Sequence, residues 1–120
     1  MIDLTHNPPT AASRKLTAVA KSVQIAGGSG FRVLAGSQRS QAAEMTLPPG
    51  GSTGGADNRH TDSDQWVFVV SGTGTAFVEH AELGLSPGTL LLIEAGEAHE
   101  LKSGAVEPLV TVNIYAPPEY

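Results

Sequence analysis

The feature that most constrains the fold of this chain is a succession of short apolar runs, each bounded by glycine or proline. The run at 65–71 is followed by Gly72 and Gly74, and the run at 90–93 is preceded by Pro87 and Gly88. Each run has the length of one strand and is rich in aliphatic or aromatic residues. Turn signals at this spacing predict an all-β protein of short strands, arranged as a sandwich, a jelly roll or a small barrel.

Strand-like segments can be placed along most of the chain, and one domain accounts for all of them. The segments lie at residues 23–25, 31–34, 41–47, 65–71, 75–79, 90–93, 98–102 and 109–115. Residues 1–20 are interpreted as a loosely ordered N-terminal segment, with a weak helical pattern over 11–20. No linker or repeat interrupts the 120 residues, so we expect a single domain over 1–120.

The composition argues against several classes of function. The formal net charge is −5 and the only basic pair is Arg14-Lys15, so no binding to nucleic acid is expected. The longest aliphatic runs, at 67–70 and 90–93, fall far below the roughly 20 residues of a membrane helix, so no membrane association is expected. No cysteine is present, which excludes disulfides and thiolate metal sites. Residues 1–10 carry no signal-peptide pattern, and a cytoplasmic location is therefore predicted.

Five polar side chains stand out beside the predicted strands. Alternate residues of an extended segment share a face, so Asn58, His60 and Asp62 would point the same way if 58–62 is extended. Gln65 would share one face of the next strand with the valines two and four positions later, and His99 opens a strand after a glycine turn. Polar groups beside a barrel core need partners, and a metal ion is one such partner.

The spacing of these residues resembles that of the cupins, the double-stranded β-helix family. Their first motif is a glycine, a His-x-His pair, a glutamate, and a second glycine seven residues after the glutamate. Gly72 stands at the second glycine, which places Gln65 at the glutamate. The same spacing places His60 at the second histidine and Asn58 at the first.

The second cupin motif is also present, with two departures. It is a glycine, five residues, a proline, then x-Gly-x-x-His. Gly88 opens it, Glu94 stands where proline is usual, and Gly96 and His99 complete it. The asparagine that usually follows is Ser103.

The resemblance implies a fold and a site. The fold is a jelly-roll-like cupin barrel with its core over 41–115, and the site is a divalent transition metal held by His60, Gln65, His99 and Asn58. Zn, Ni, Fe, Mn and Cu are all candidates, since imidazole does not choose among them. Amide oxygens at 58 and 65 leave the site formally uncharged, so we expect weaker metal binding than in the usual cupin. Asn58 as a turn residue and Gln65 as an internal hydrogen-bonding group are equally open interpretations.

Three functions follow as expectations, and the sequence leaves open whether the protein is an enzyme. The leading one is a metal-binding cupin that binds or acts on a small organic molecule inside the barrel, as non-haem dioxygenases and isomerases of similar fold do. The second is a metal-free ligand-binding or sensor module, and the third is a purely structural cupin. The resemblance also implies a homodimer, with 23–25 and 31–34 as candidate contacts.

Overall fold

The computed structural model describes residues 20–55 and 57–120, and every regular element in that part of the chain is a strand. The strands are β1 (Gly30–Gly36), β2 (Gln41–Leu47), β3 (Asp64–Ser71), β4 (Gly74–Val78), β5 (Ala81–Leu85), β6 (Leu90–Ile93), β7 (His99–Ser103) and β8 (Leu109–Ala116). The predicted all-β class is confirmed. The interpretation of 1–20 as loosely ordered, and the weak helical pattern within it, fall outside the described residues except at position 20.

The strands form two antiparallel sheets. One has five strands in the order β1-β2-β8-β3-β6, and the other has three in the order β5-β4-β7. Chain neighbours are separated within the larger sheet, because β8 lies between β2 and β3. This crossing connectivity brings the ends of β3, β7 and β8 to one cavity, although they are far apart in sequence.

The alternation along each central strand explains why the sheets pack as they do. In β3, Gln65, Val67 and Val69 are buried while Trp66 and Phe68 are exposed on the other face, as predicted. Strand β8 also alternates between buried and partly exposed residues over its whole length. The buried face of β3 carries Val67 and Val69, and that of β8 combines Leu109 and Tyr115 with the polar Thr111 and Asn113. Burial of each large aliphatic side chain contributes about 1.5–3 kcal/mol.

The described residues form one apolar core between the sheets. Its buried members come from both sheets: Met45, Leu47, Val67, Val69, Ala76, Val78, Leu85, Ile93, Leu101 and Leu109. The core does not fill the whole interior, because polar residues replace the apolar ones toward one end, at Gln65 and His99.

One predicted strand, at 23–25, is wrong. Residues 20–29 form no strand, and Val23 and Ile25 are exposed. Side chains of the neighbouring strands form hydrogen bonds with the backbone of this segment instead. The amide of Ala26 donates to a carboxylate oxygen of Glu44 at 3.1 Å, and Nη2 of Arg32 donates to the carbonyl of Gln24 at 3.4 Å.

The sequence pattern did not predict one of the strands. Strand β5 (Ala81–Leu85) pairs with β4 along its whole length, from Val78 opposite Ala81 to Gly74 opposite Leu85. Its residues include alanine, glutamate and glycine, which have low β-propensity, so nothing in its composition indicates a strand. It forms because β4 offers it a free edge.

Gly72 shows why the glycine framework is needed. It has φ +83° between β3 and β4, a conformation that residues with a Cβ rarely adopt. A Cβ at this position would overlap the carbonyl of Pro108, which precedes β8. The turn therefore requires glycine for both its backbone angle and its contact.

Candidate functional site

All four residues predicted as metal ligands line one cavity of about 580 Å³. The rest of its wall is mixed, with apolar residues, tyrosines and one arginine: Phe31, Met45, Leu47, Leu101, Tyr115, Tyr120 and Arg59 among them. The volume lies within the range of roughly 300–1,000 Å³ that small-molecule sites occupy. Gln65 and His99 belong to strands, whereas Asn58 and His60 belong to the segment between β2 and β3.

Backbone hydrogen bonds hold the two motif segments together. The amide of Gly96 donates to the carbonyl of His60 at 2.7 Å, and the amide of His99 donates to the carbonyl of Asn58 at 2.8 Å. Gly96 has φ +87°, which turns the chain so that His99 can begin β7. The conditional expectation that 58–62 is an extended strand is not met, since the segment forms no strand and both Asn58 and Asp62 are exposed.

The two histidine rings meet inside the cavity. Their centroids are 5.1 Å apart and their planes are inclined by 42°. The ring of Tyr115 lies edge-on to His60, with 5.3 Å between centroids. The sequence separates the histidines by a strand, a hairpin and another strand, so only the closed fold brings them together.

His99 is buried and its environment favours the neutral ring. Its Nδ1 lies 3.0 Å from the carbonyl oxygen of Glu97. Burial is the main cause that lowers the pKa of His99, and the nearby His60 lowers it further, against the opposing effect of the Glu97 carbonyl. A neutral ring that donates from Nδ1 keeps the lone pair of Nε2 available to a metal or a ligand.

The two amides are placed differently from each other. Gln65 is 4% exposed, and its Oε1 is buried without a hydrogen-bond partner in the described part of the chain. Asn58 is exposed, and its Nδ2 donates weakly to the carbonyl of Thr53 at 3.5 Å. A buried carbonyl oxygen without a partner is costly, so a hydrogen-bond donor or a cation beside Gln65 would stabilise the folded protein. The exposed amide of Asn58 carries no such cost.

The donor set therefore fits a transition metal in part. Two imidazoles and the unpartnered oxygen of Gln65 are suitable ligands for Zn, Ni, Fe or Cu. Within residues 20–55 and 57–120, however, no three His, Cys, Asp or Glu side chains lie close enough to hold an ion. A metal here would depend on His60 and His99, with Gln65 as a neutral third ligand.

The C-terminal residues contribute to the site, which the sequence did not indicate. Oε1 of Glu119 lies 3.3 Å from Nδ1 of His60, and Tyr115 and Tyr120 line the cavity. Burial raises the pKa of Tyr115 strongly, with Tyr120 adding to the effect, so its phenol stays protonated. The alternation of β8 could have placed Tyr115 inside, but nothing in the sequence after Pro117 and Pro118 indicates that the chain returns to the site.

The fold and the site together define the class of protein. Residues 43–115 match the family described as the cupin domain, and the chain belongs to the cupin family. No curated protein has a sequence significantly similar to this one. The described residues contain no helix with the length and hydrophobicity that crossing a bilayer requires.

Solved structures with the same fold include three that illustrate its range. A protein from Bacillus halodurans is 26% identical with a TM-score of 0.72, over 77% of this chain and 73% of that one. KdgF from a Halomonas species is 19% identical with a TM-score of 0.67, over 73% and 77%. A protein described as a predicted oxalate decarboxylase from Thermotoga maritima is 20% identical with a TM-score of 0.60, over 65% and 66%. The last two support the fold alone.

Proposed function

We propose that this cupin binds a small, partly apolar organic molecule in its cavity, at a divalent transition metal held by His60 and His99. The observation that carries the proposal is the meeting of two imidazole rings inside a cavity, with 5.1 Å between centroids. Nδ1 of each ring lies beside a protein oxygen. Neither Nε2 has a hydrogen-bond partner in the described part of the chain, so both are available to a common ligand.

Gln65 would complete the metal site as a neutral ligand. Its buried Oε1 lacks a partner among the described residues, and coordination would remove the cost of leaving it unsatisfied. Because the three ligands carry no charge, the ion would keep its full positive charge and open positions for water or a ligand oxygen. A divalent ion held there would polarise such an oxygen, which is the chemistry that a metal dioxygenase or isomerase requires.

The walls of the cavity define the class of molecule. Met45, Leu47 and Leu101 are apolar, while Arg59 and the phenol of Tyr115 add donors. A ligand with an oxygen-bearing end and an aliphatic or aromatic body matches this division.

Metal content of the purified protein tests the proposal. The full chain is stripped with chelator, dialysed against Zn, Ni, Fe(II), Mn or Cu, and measured by elemental analysis. Wild type is expected to retain one ion per chain, and H60A and H99A are each expected to lose it. H80A is the matched control, because His80 is an exposed imidazole in the turn between β4 and β5. A wild-type protein that retains none of these metals contradicts the proposal.

A cavity that binds an organic molecule without a metal is the second candidate function. The residues at two positions of the site favour it. The two positions that carry imidazole and carboxylate in the family motif carry Asn58 and Gln65 here, and Asn58 is exposed. Hydrogen bonds from a ligand hydroxyl to the Nε2 atoms would then replace metal coordination. Native mass spectrometry separates the candidates, since a bound organic molecule without metal supports this one alone.

A further inference from the structure

A carboxylate from outside both cupin motifs lies against the site. Oε1 of Glu119 is 3.3 Å from Nδ1 of His60, and the two side chains are 29% and 16% exposed. The motif position that usually supplies a carboxylate holds Gln65, which is neutral. Glu119 therefore brings a carboxylate to His60 from outside the motifs.

The segment that carries Glu119 is fixed by buried polar side chains. Oε1 of Gln41 accepts hydrogen bonds from the amides of Tyr120 at 2.9 Å and Glu119 at 3.3 Å. Nε2 of the same glutamine donates to the carbonyl of Tyr120 at 2.7 Å. The hydroxyl of Ser63, which is 2% exposed, donates to the carbonyl of Pro117 at 2.6 Å. Residues 117–120 are thus bonded to the barrel at both ends.

Aromatic contacts also hold residues 117–120 at the cavity wall. The ring of Tyr120 lies 4.8 Å from Phe31, 5.2 Å from Tyr115 and 6.0 Å from His60, measured between centroids. Such edge and tilted contacts stabilise the segment beyond the area that they bury. The position of Glu119 beside His60 is therefore a consequence of contacts on both of its sides.

We propose that Glu119 is a positioning residue for His60. Its carboxylate accepts a hydrogen bond from the Nδ1–H group of the imidazole, which fixes the tautomer and leaves the Nε2 lone pair toward the shared ligand. His99 is held in the corresponding way by the carbonyl of Glu97. A carboxylate behind a ligating histidine raises the basicity of that ligand and orients its ring. This inference rests on the proposed function, because it concerns what His60 presents to a metal or ligand.

The contact between Glu119 and His60 also brings a negative charge to the site, which the neutral amides of Asn58 and Gln65 do not. The neutral donors His60, His99 and Gln65 leave a bound cation uncompensated, and a carboxylate one imidazole away lowers that cost. The 3.3 Å separation is longer than an ideal N–H···O bond of about 2.9 Å. A small shift of the partly exposed Glu119 side chain would bring it to that distance.

The tautomer of His60 is the first measurement. Long-range proton–nitrogen correlation spectra of the metal-free full chain, at about pH 8 where ordinary histidine is neutral, report which ring nitrogen carries the proton. Wild type is expected to show Nδ1–H for His60, E119Q to retain it through its amide oxygen, and E119A to shift it toward Nε2–H. E82A, which removes an exposed glutamate on the other sheet, is the matched control and leaves the spectrum unchanged.

Metal affinity is the second measurement. With Zn as the probe, calorimetry is expected to give an affinity about 10–100-fold weaker for E119A, the usual loss when a group that orients a metal ligand is removed. Q41A leaves Glu119 in the chain but removes the bonds that seat it, so it is expected to reproduce the tautomer shift. Thermal unfolding followed by circular dichroism confirms that each variant is folded.

The outcomes separate this inference from the proposed function. If the tautomer of His60 is the same in E119A, Q41A and wild type, Glu119 does not position the ring, whatever the protein binds. If the tautomer shifts but wild type binds no metal, the positioning role stands and the metal proposal fails. If Zn affinity is unchanged in E119A while wild type binds Zn, the contribution of Glu119 to the site is overturned.

Discussion

The backbone amide of His99 donates a 2.8 Å hydrogen bond to the carbonyl oxygen of Asn58. The two cupin motifs are therefore joined through main-chain atoms, and the exposed side chain of Asn58 is not what brings them together. We expect N58A to change Zn affinity by less than about threefold, within the small effects of exposed substitutions. Calorimetry on wild type and N58A measures the difference. A loss comparable to that of H60A would establish Asn58 as a ligand.

Replacement of Gln65 with glutamate is expected to exchange stability of the free protein for metal affinity. Position 65 is buried, so a carboxylate there without a cation should cost about 1–3 kcal/mol of the free energy of unfolding. A divalent ion would offset this cost, and Q65E should therefore gain more stability from Zn than wild type does. Urea unfolding with chelator and with Zn measures both effects.

A neutral variant provides the control for the Q65E experiment. Q65M keeps a side chain of similar length, and Oε1 of Gln65 has no partner to lose among the described residues. Its stability with chelator should be close to that of wild type, and Zn should add little. Equal stabilisation of Q65M and Q65E by Zn would rule out position 65 as a metal ligand.

Stability should fall as the pH drops below the ordinary value for histidine, about 6.5. The pKa of His99 is lowered in the folded state, chiefly by burial, so the unfolded chain takes up this proton first. The free energy of unfolding then decreases with falling pH, by at most about 1.4 kcal/mol per pH unit for one group, until the folded protein is also protonated. Urea unfolding of wild type and H99Q, with chelator present and between about pH 8 and 5, measures the contribution of His99 to this pH dependence. The two curves should converge as the pH falls, and parallel curves would contradict the assignment.

Much of the fold was predictable because local patterns and tertiary packing agree. Gln65 shares its face with buried valines, and His99 begins a strand after Gly96, as expected from periodicity and turn chemistry. Those two side chains are set by strands whose register the core determines. The family resemblance added His60, which lies in an irregular segment where periodicity gives no direction.

The remaining features depend on long-range contacts that no local pattern encodes. Strand β5 exists because β4 has an edge to pair with, despite its own weak propensity. The segment at 23–25 is apolar enough for a strand, but Arg32 donates to the carbonyl of Gln24 and Glu44 accepts from the amide of the adjacent Ala26. Glu119 lies beside His60 because residues distant in sequence, among them Gln41, hold residues 117–120 against the barrel.

Gly72 is expected to tolerate no side chain. Its φ of +83° and the nearby Pro108 carbonyl mean that G72A adds both backbone strain and an overlap, together costing about 2–4 kcal/mol. Gly84 in β5 is the matched control, since it has an ordinary φ and open space where a Cβ would be. G84A should change the free energy of unfolding by less than about 1 kcal/mol. Equal losses in the two variants would show that the turn does not require glycine.

The homodimer implied by the family resemblance remains a prediction, and the outer face of β3 and β6 is its strongest candidate surface. Trp66 lies beside Leu92 and Phe68 beside Leu90 on neighbouring strands, and all four are between 38% and 60% exposed. In the described part of the chain β6 is also the last strand of its sheet. A contiguous apolar face at a sheet edge is unusual on a monomer and is best explained by a second copy of the chain.

Sedimentation of charged variants can distinguish this surface from the contacts that the resemblance implies, at 23–25 and 31–34. Wild type should sediment as a dimer at micromolar concentration, and F68K should be monomeric because burial of a lysine without a partner is costly. V23K places the same charge at an exposed position of the segment at 23–25 and should remain dimeric. If V23K dissociates and F68K does not, the N-terminal side forms the interface. If wild type is monomeric, the apolar face requires a different partner and the dimer prediction is wrong.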